Sequence, residues 1–265
     1  MNEIKKEFNL REKVFLRFFC YPPPGRDQPE SAGENSTEDP LSWLKDRFGN
    51  SFTESIKGKT VLDVGCGGGE QVVGAVLHGA KCAVGSEIRA IFNQSLLRAK
   101  ELGIGEKVMF TLSPLRELGE QTIDVAFSQN SFEHFGEPAQ ILRDVFFVLK
   151  KGGRFFVTFS PPWFHPFGVH MFFMIKYPWT HFIFSEKTIL KVRSLYRNDG
   201  AKTFAETEGG LNKMTIGRFM RLSKSAGYKV EFLKLKPIMI LPRVLTHMAV
   251  IREFVTSSMS VVLYK

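Results

Sequence analysis

Two hydrophobic periods take turns along the chain. Thr60-Val61-Leu62-Asp63-Val64 is a short apolar run that gives way to glycines, the pattern of a strand buried on both faces. Gln71 to His78 then takes helical spacing, and Lys81 to Ser86 returns to a strand. Ile91 to Leu102 reads as a helix closed near Gly103, Val108 to Leu112 and Ile123 to Ser128 as strands, Pro138 to Leu149 as a helix and Arg154 to Phe159 as a fifth strand. Farther on, Ile216 to Ala226, stopped by Gly227, predicts a helix, Lys229 to Leu235 a strand and Ser257 to Tyr264 a last strand. Strands alternating with helices build a mostly parallel α/β sheet covered on both faces, because right-handed crossovers return each helix to the sheet. Ligands in such sheets sit at the carboxyl ends of strands, so the residues just after each strand are where chemistry is to be sought.

Three stretches stand outside this alternation. Phe8, Leu10, Val14, Phe15, Phe18 and Phe19 interleave with charges at roughly helical spacing, which predicts an amphipathic helix docked on the core. Tyr21 to Pro40 is rich in Pro, Gly, Ser, Asn, Asp and Glu and reads as a mobile linker. Residues 1–40 are therefore set apart from a main domain at 41–265. Within that domain, residues 161–210 read as a cap insertion after the fifth strand, opened by Trp163, Phe164, Phe167, Phe172, Phe173, Tyr177, Trp179, Phe182 and Phe184.

Length and composition narrow the class. A chain of 265 residues that is 43% hydrophobic and 24% charged supports one sizeable core with additions. Cys20, Cys66 and Cys82 show no paired spacing, which argues against a disulfide framework and fits a reducing compartment. Charges scattered over the first twenty residues leave no secretory signal or spanning helix there, so a cytoplasmic protein is expected. The net charge of +9 favours anionic partners in general. Basic residues gather at Arg143 to Arg154 and at Lys187 to Lys202, where solvated helix faces are the expectation.

The chemistry begins at Val61-Leu62-Asp63-Val64-Gly65-Cys66-Gly67-Gly68-Gly69-Glu70, a strand that runs through glycines into a helix start. Backbone without β-carbons lets a ligand approach closely, and the N–H groups of a helix start favour a carboxylate or phosphate. The dinucleotide fingerprint needs a third glycine three residues after its second. Glu70 occupies that place in one register and Val72 in the other, so a nicotinamide oxidoreductase is disfavoured.

The same motif resembles the first motif of class I S-adenosylmethionine-dependent methyltransferases, of the type 11 kind. The resemblance extends to Val84-Gly85-Ser86-Glu87-Ile88, to Ile123-Asp124-Val125-Ala126-Phe127-Ser128 running into Phe132-Glu133-His134, and to Leu149-Lys150-Lys151-Gly152-Gly153-Arg154. It implies a Rossmann-like, seven-stranded, mostly parallel sheet with the last strand antiparallel. It also implies a donor site for S-adenosylmethionine formed by Asp63, Gly65, Cys66, Gly67, Gly69, Glu87 and Asn130, with the Glu87 carboxylate accepting from both ribose hydroxyls. One departure is Thr111-Leu112-Ser113-Pro114, where many members of the family place an Asp near the adenine; Ser113 is the candidate that stands in its place.

Methyl transfer from a sulfonium is an in-line displacement that gains most from alignment and exclusion of water. A hydroxyl acceptor benefits from a base, and His134, just after the fourth strand, is the candidate. The aromatic insertion should overhang the donor site, with Trp163, Phe167 and Trp179 as candidate walls for an aromatic, quinone-like or lipid acceptor; a small second core is the competing role. A membrane-surface contact rests on the same residues, yet prolines and histidines interrupt any clean amphipathic helix. Ser160-Pro161-Pro162-Trp163 resembles the motif with which nucleic-acid amino-methyltransferases hold a flipped base, but it follows the fifth strand and not the fourth, which argues against nucleic acid. The spacing of His165, His170 and His181 fits no familiar metal motif, so no metal is expected. The competing functional class is a regulatory protein that binds the donor without catalysis. Nothing in the pattern fixes an oligomeric state.

Overall fold

The computed structural model describes residues 8–25, 39–238, 241–248 and 251–265; most of the proline-rich linker, residues 26–38, lies outside the described residues. Seven strands form one sheet: β1 (Thr60–Val64), β2 (Cys82–Ser86), β3 (Val108–Thr111), β4 (Ile123–Gln129), β5 (Leu149–Phe159), β6 (Lys229–Pro237) and β7 (Thr256–Tyr264). Their order is β3-β2-β1-β4-β5-β7-β6. Pairings from β3 to β5 are parallel, and β7 runs antiparallel to both β5 and β6. The order reverses between β1 and β4, which pair Val61 with Val125 and Asp63 with Phe127. Crossovers leave these two strands in opposite directions, so a crevice opens beyond their carboxyl ends.

Each strand divides its side chains between the two faces, as a period of two requires. Leu62, Val64, Phe155 and Val157 enter one core with Phe132, Leu142 and Phe219; Val61, Phe127 and Phe156 enter the other with Leu44, Phe52 and Val73. Five of the flanking helices are α2 (Ser42–Phe48), α3 (Asn50–Ile56), α4 (Glu70–Leu77), α5 (Asn93–Glu101) and α6 (Pro138–Val148). Gly49, at φ +65°, turns the chain between α2 and α3.

A third core lies apart from the sheet. Its members come from the amino-terminal segment (Phe8, Phe15), the insertion (Met171, Phe173, Met174) and α7 (Glu186–Arg193; Ile189, Val192). The amino-terminal helix α1 (Leu10–Val14) continues as one wider turn over Phe15–Phe19. A reciprocal capping box starts it: the Glu12 N–H donates to Asn9 Oδ1 at 3.0 Å, and the Asn9 N–H donates to Glu12 Oε2 at 2.8 Å. The last large helix, α8 (Ile216–Ser225), covers the first core through Ile216 and Phe219. No helix among the described residues is long and apolar enough to cross a membrane.

Candidate active site

The site grows from the end of β1. The N–H groups of Gly65 and Cys66 both donate to the Ser86 carbonyl, at 2.9 and 3.1 Å, which ties the glycine turn to the end of β2. Gly65, Gly67 and Gly69 all have positive φ, at +76°, +52° and +87°, but their surroundings differ. A Cβ on Gly65 would stand 2.8 Å from Ser131 Oγ, and one on Gly69 would stand 2.5 Å from Phe110 Cζ. At Gly67 a Cβ would meet no protein atom within 4 Å. The outer glycines are thus demanded by packing, and the middle one leaves its backbone open to an approaching ligand.

Glu87 leaves β2 beside this turn. Its Oε2 accepts from the Gly67 N–H at 3.0 Å and its Oε1 from the Ile88 N–H at 2.7 Å. A carboxylate has about four lone-pair sites, so each oxygen can still accept from a ligand hydroxyl. The Glu87 N–H donates to the Thr111 carbonyl at 3.1 Å, which brings the end of β3 alongside. Ile88 (87%) and Leu112 (54%), which directly follow Glu87 and Thr111, are exposed apolar residues. Ser113 is exposed just beyond β3. Asp63 is buried at the end of β1. Burial, with the Asp63 and Glu87 carboxylates adding to it, pushes the Cys66 thiol up, so it stays protonated and is no nucleophile.

Across the crevice, β4 ends at a turn bolted to the glycines. Ser128 Oγ donates to the Val64 carbonyl at 2.8 Å, and Ser131 Oγ lies 3.1 Å from the Gly65 carbonyl and 3.0 Å from that of Gln129. Half-buried Asn130, at φ +48°, donates its N–H to the Thr158 carbonyl at 2.9 Å. Residues after α7 clamp this turn from outside. Asn212 Nδ2 donates to the Phe132 and Phe135 carbonyls at 2.6 and 2.8 Å, and the Asn212 N–H donates to the Glu133 carbonyl at 2.9 Å.

His134, half-buried, holds its Nδ1 2.7 Å from the Gly210 carbonyl. A carbonyl only accepts, so Nδ1 carries the proton and Nε2 a lone pair. The His170 ring stands edge-on to it at 5.5 Å. Burial, with His134 close by, lowers His170 to about 3, so it is neutral. Glu133 is buried and accepts from the Ser160 N–H at 3.2 Å.

The insertion distributes its aromatics. Trp163 packs on His181 at 4.9 Å and Phe204 at 5.5 Å between ring centres. Phe167 packs on Phe172 at 5.6 Å. Trp179, 39% exposed at φ +54°, donates its indole N–H to the Phe164 carbonyl at 3.1 Å. Ser160, at the head of Ser160-Pro161-Pro162-Trp163, donates its hydroxyl to the Ser257 carbonyl at 3.0 Å, so it is engaged with the sheet's last strand.

Comparison with known proteins bears on the same segment. Residues 62–157, from β1 to β5, match the family model of the methyltransferase domain. Residues 62–157 therefore match a methyltransferase domain, on a fold that S-adenosylmethionine-dependent methyltransferases share. Over 124 residues, 44% of this chain, it is 30% identical to a ubiquinone biosynthesis O-methyltransferase of Aeromonas salmonicida. The match spans about half of that protein, 48% of its length. An S-adenosylmethionine-dependent methyltransferase of Mesorhizobium loti shares the fold at TM-score 0.51 and 18% identity, over 80% of this chain and 93% of that one. The cyclase SpnF shares it at TM-score 0.55 and 15% identity, over 91% and 86%; one fold thus hosts more than one chemistry.

Within the methyltransferase domain, Asp63, Gly65, Cys66, Gly67, Gly69, Glu87 and Asn130 converge on the crevice between β1 and β4, with Ser113 at the neighbouring strand end. Trp163 and Phe167 pack against the third core, and Trp179 lies at the surface. Sequence reasoning missed Ser131, Glu133, Gly210 and the approach of His170 to His134. A serine after a strand carries no signal of its own, and His170 is separated from His134 by α6, β5 and the first residues of the insertion.

Proposed function

We propose that this chain transfers the methyl group of S-adenosylmethionine to an oxygen of a small hydroxylated aromatic or quinone-like molecule. The observation that carries the reading is the Glu87 carboxylate turned onto the Gly67 N–H at the crevice of the sheet. There the ribose hydroxyls donate to Glu87, and the amino-acid tail lies along the turn of Gly65, Cys66, Gly67 and Gly69, backed by Asp63 and Asn130. Ile88 and Leu112 flank the adenine, with Ser113 at its edge. These groups would hold the donor, whose sulfonium supplies the methyl to the acceptor oxygen and leaves as the thioether of S-adenosylhomocysteine. Nε2 of His134 accepts the proton of the attacking hydroxyl. The acceptor class is supported by the name of the Aeromonas salmonicida relative; Trp163 and Phe167, packed on the third core, and surface Trp179 do not form the acceptor walls expected of them.

The test uses purified chain, methyl-labelled donor and cell extract, followed by mass spectrometry of the labelled product. A methyl ether on an aromatic ring is the expected product. Donor binding without labelled product from any extract supports the competing regulatory reading, and failure to bind the donor at millimolar concentration overturns the proposal.

A further inference from the structure

Glu133 and His134 come off the end of β4, and His170 reaches them from the insertion, so the three groups meet only in the folded chain. One potential ligand atom from each lies within 4.8 Å of the other two. Both imidazoles have their tautomers set by the backbone. His134 donates Nδ1–H to the Gly210 carbonyl at 2.7 Å, and His170 donates Nε2–H to the Pro161 carbonyl at 3.0 Å. That leaves a lone pair on the opposite nitrogen of each ring, the arrangement found behind metal-bound histidines, where the outward N–H holds a carbonyl or carboxylate. Glu133 is steadied in the same way by the Ser160 N–H at 3.2 Å. His170 sits at φ +59°, a left-handed backbone uncommon outside glycine, and such conformations gather at ligand clamps.

We infer that Glu133, His134 and His170 form a site for one divalent cation of the zinc class. Two neutral imidazoles and one carboxylate select zinc, cobalt, iron or manganese over magnesium and calcium, which prefer all-oxygen shells. Three ligands leave a coordination position for water or an acceptor oxygen. Ligand atoms on a tetrahedral zinc stand roughly 3.4 Å apart, so the 4.8 Å cluster needs contraction by small side-chain rotations. The half-buried position of His134 gives the ion an entrance. His165 and His181 do not belong to this set: His165 Nδ1 accepts from the Phe167 N–H, and His181 Nε2 holds the Trp163 carbonyl. In the metal-free chain Nε2 of His134 remains the base proposed above; in the loaded chain it is a ligand. Metal binding is measured without donor or acceptor, so its failure leaves the methyl-transfer reading untouched.

The full chain is stripped with a chelator and dialysed against Zn²⁺ or Co²⁺, and bound metal is counted by mass spectrometry. One ion per chain is expected, with a Co²⁺ visible spectrum of nitrogen and oxygen ligation and no thiolate charge-transfer band. Glu133→Gln, His134→Ala and His170→Asn should each weaken binding at least tenfold, while His78→Ala, at a separate histidine paired with Asp39, leaves it unchanged. Circular dichroism confirms that each variant is folded; should buried His170 or Glu133 fail that check, half-buried His134→Gln carries the comparison with the wild-type spectrum. No bound metal in the wild type, a thiolate band, or undiminished binding in folded variants overturns the site.

Discussion

Replacing Gly67 by Ala separates a ligand-facing glycine from a packing one. Its φ of +52° puts any other residue in the left-handed region, at a cost of roughly 1–2 kcal/mol. No protein atom lies within 4 Å of the added methyl, so no steric penalty joins that strain. The thermal midpoint should fall by about 2–8 °C for a chain of this size. The methyl would stand where the donor passes over the turn, and donor affinity should drop at least tenfold, about 1.4 kcal/mol. Gly69→Ala behaves differently: its methyl would lie 2.5 Å from Phe110 Cζ on top of a φ of +87°, which adds roughly 1–3 kcal/mol of overpacking to the strain. Scanning calorimetry and titration calorimetry with S-adenosylhomocysteine measure both quantities. Donor affinity within twofold of wild type for Gly67→Ala, or a midpoint as low as that of Gly69→Ala, refutes the division of roles among the glycines.

The parallel strands were legible as short apolar runs, β1 and β2 stopped by Gly65 and Glu87, and the crevice at the switch between β1 and β4 was legible because it lies at the ends of such runs. β5 begins at Leu149, earlier than the Arg154 expected. The Gly152 N–H donates to the Lys265 carbonyl at 3.2 Å and the Lys265 N–H to the Gly153 carbonyl at 3.1 Å, so the end of the chain prolongs the pairing across these two glycines. Such a partner more than a hundred residues away leaves no mark on local period. The basic stretch from Lys187 to Lys202 is not wholly a solvated face: Arg193 is buried and held by Asp199 at 2.6 and 2.7 Å. A buried guanidinium needs such a bidentate partner, and a one-dimensional charge pattern cannot distinguish it from an exposed one. The aromatic insertion was visible as a composition change, but its partner in the third core, the amino-terminal segment, lies across the linker.

The remaining predictions test side chains of the crevice and the insertion. Glu87→Ala removes a carboxylate whose charge-assisted hydrogen bonds are worth about 1.5–3 kcal/mol each, so donor affinity should fall at least tenfold by calorimetry; unchanged affinity would move the ribose contact elsewhere. Trp163→Ala, truncating a ring packed on His181 and Phe204, should lower the thermal midpoint far more than Trp179→Ala, whose ring is 39% exposed; equal midpoints would contradict this packing. Stability should also fall as pH drops from about 6.5 toward about 4, because burial lowers His165 and His181 to about 4 and His170 to about 3. In that window the unfolded chain binds the three protons and the folded chain does not, so each histidine contributes a slope of up to about 1.4 kcal/mol per pH unit. Asp39 and Asp199, held at about 2, lose their contribution only below the ordinary carboxylate range, which separates the two effects. Urea unfolding at pH 7, 6 and 5 measures the slope, His181→Asn should reduce it, and a stability that is level from pH 7 to 5 would show that these rings protonate as freely in the folded chain as in the unfolded one.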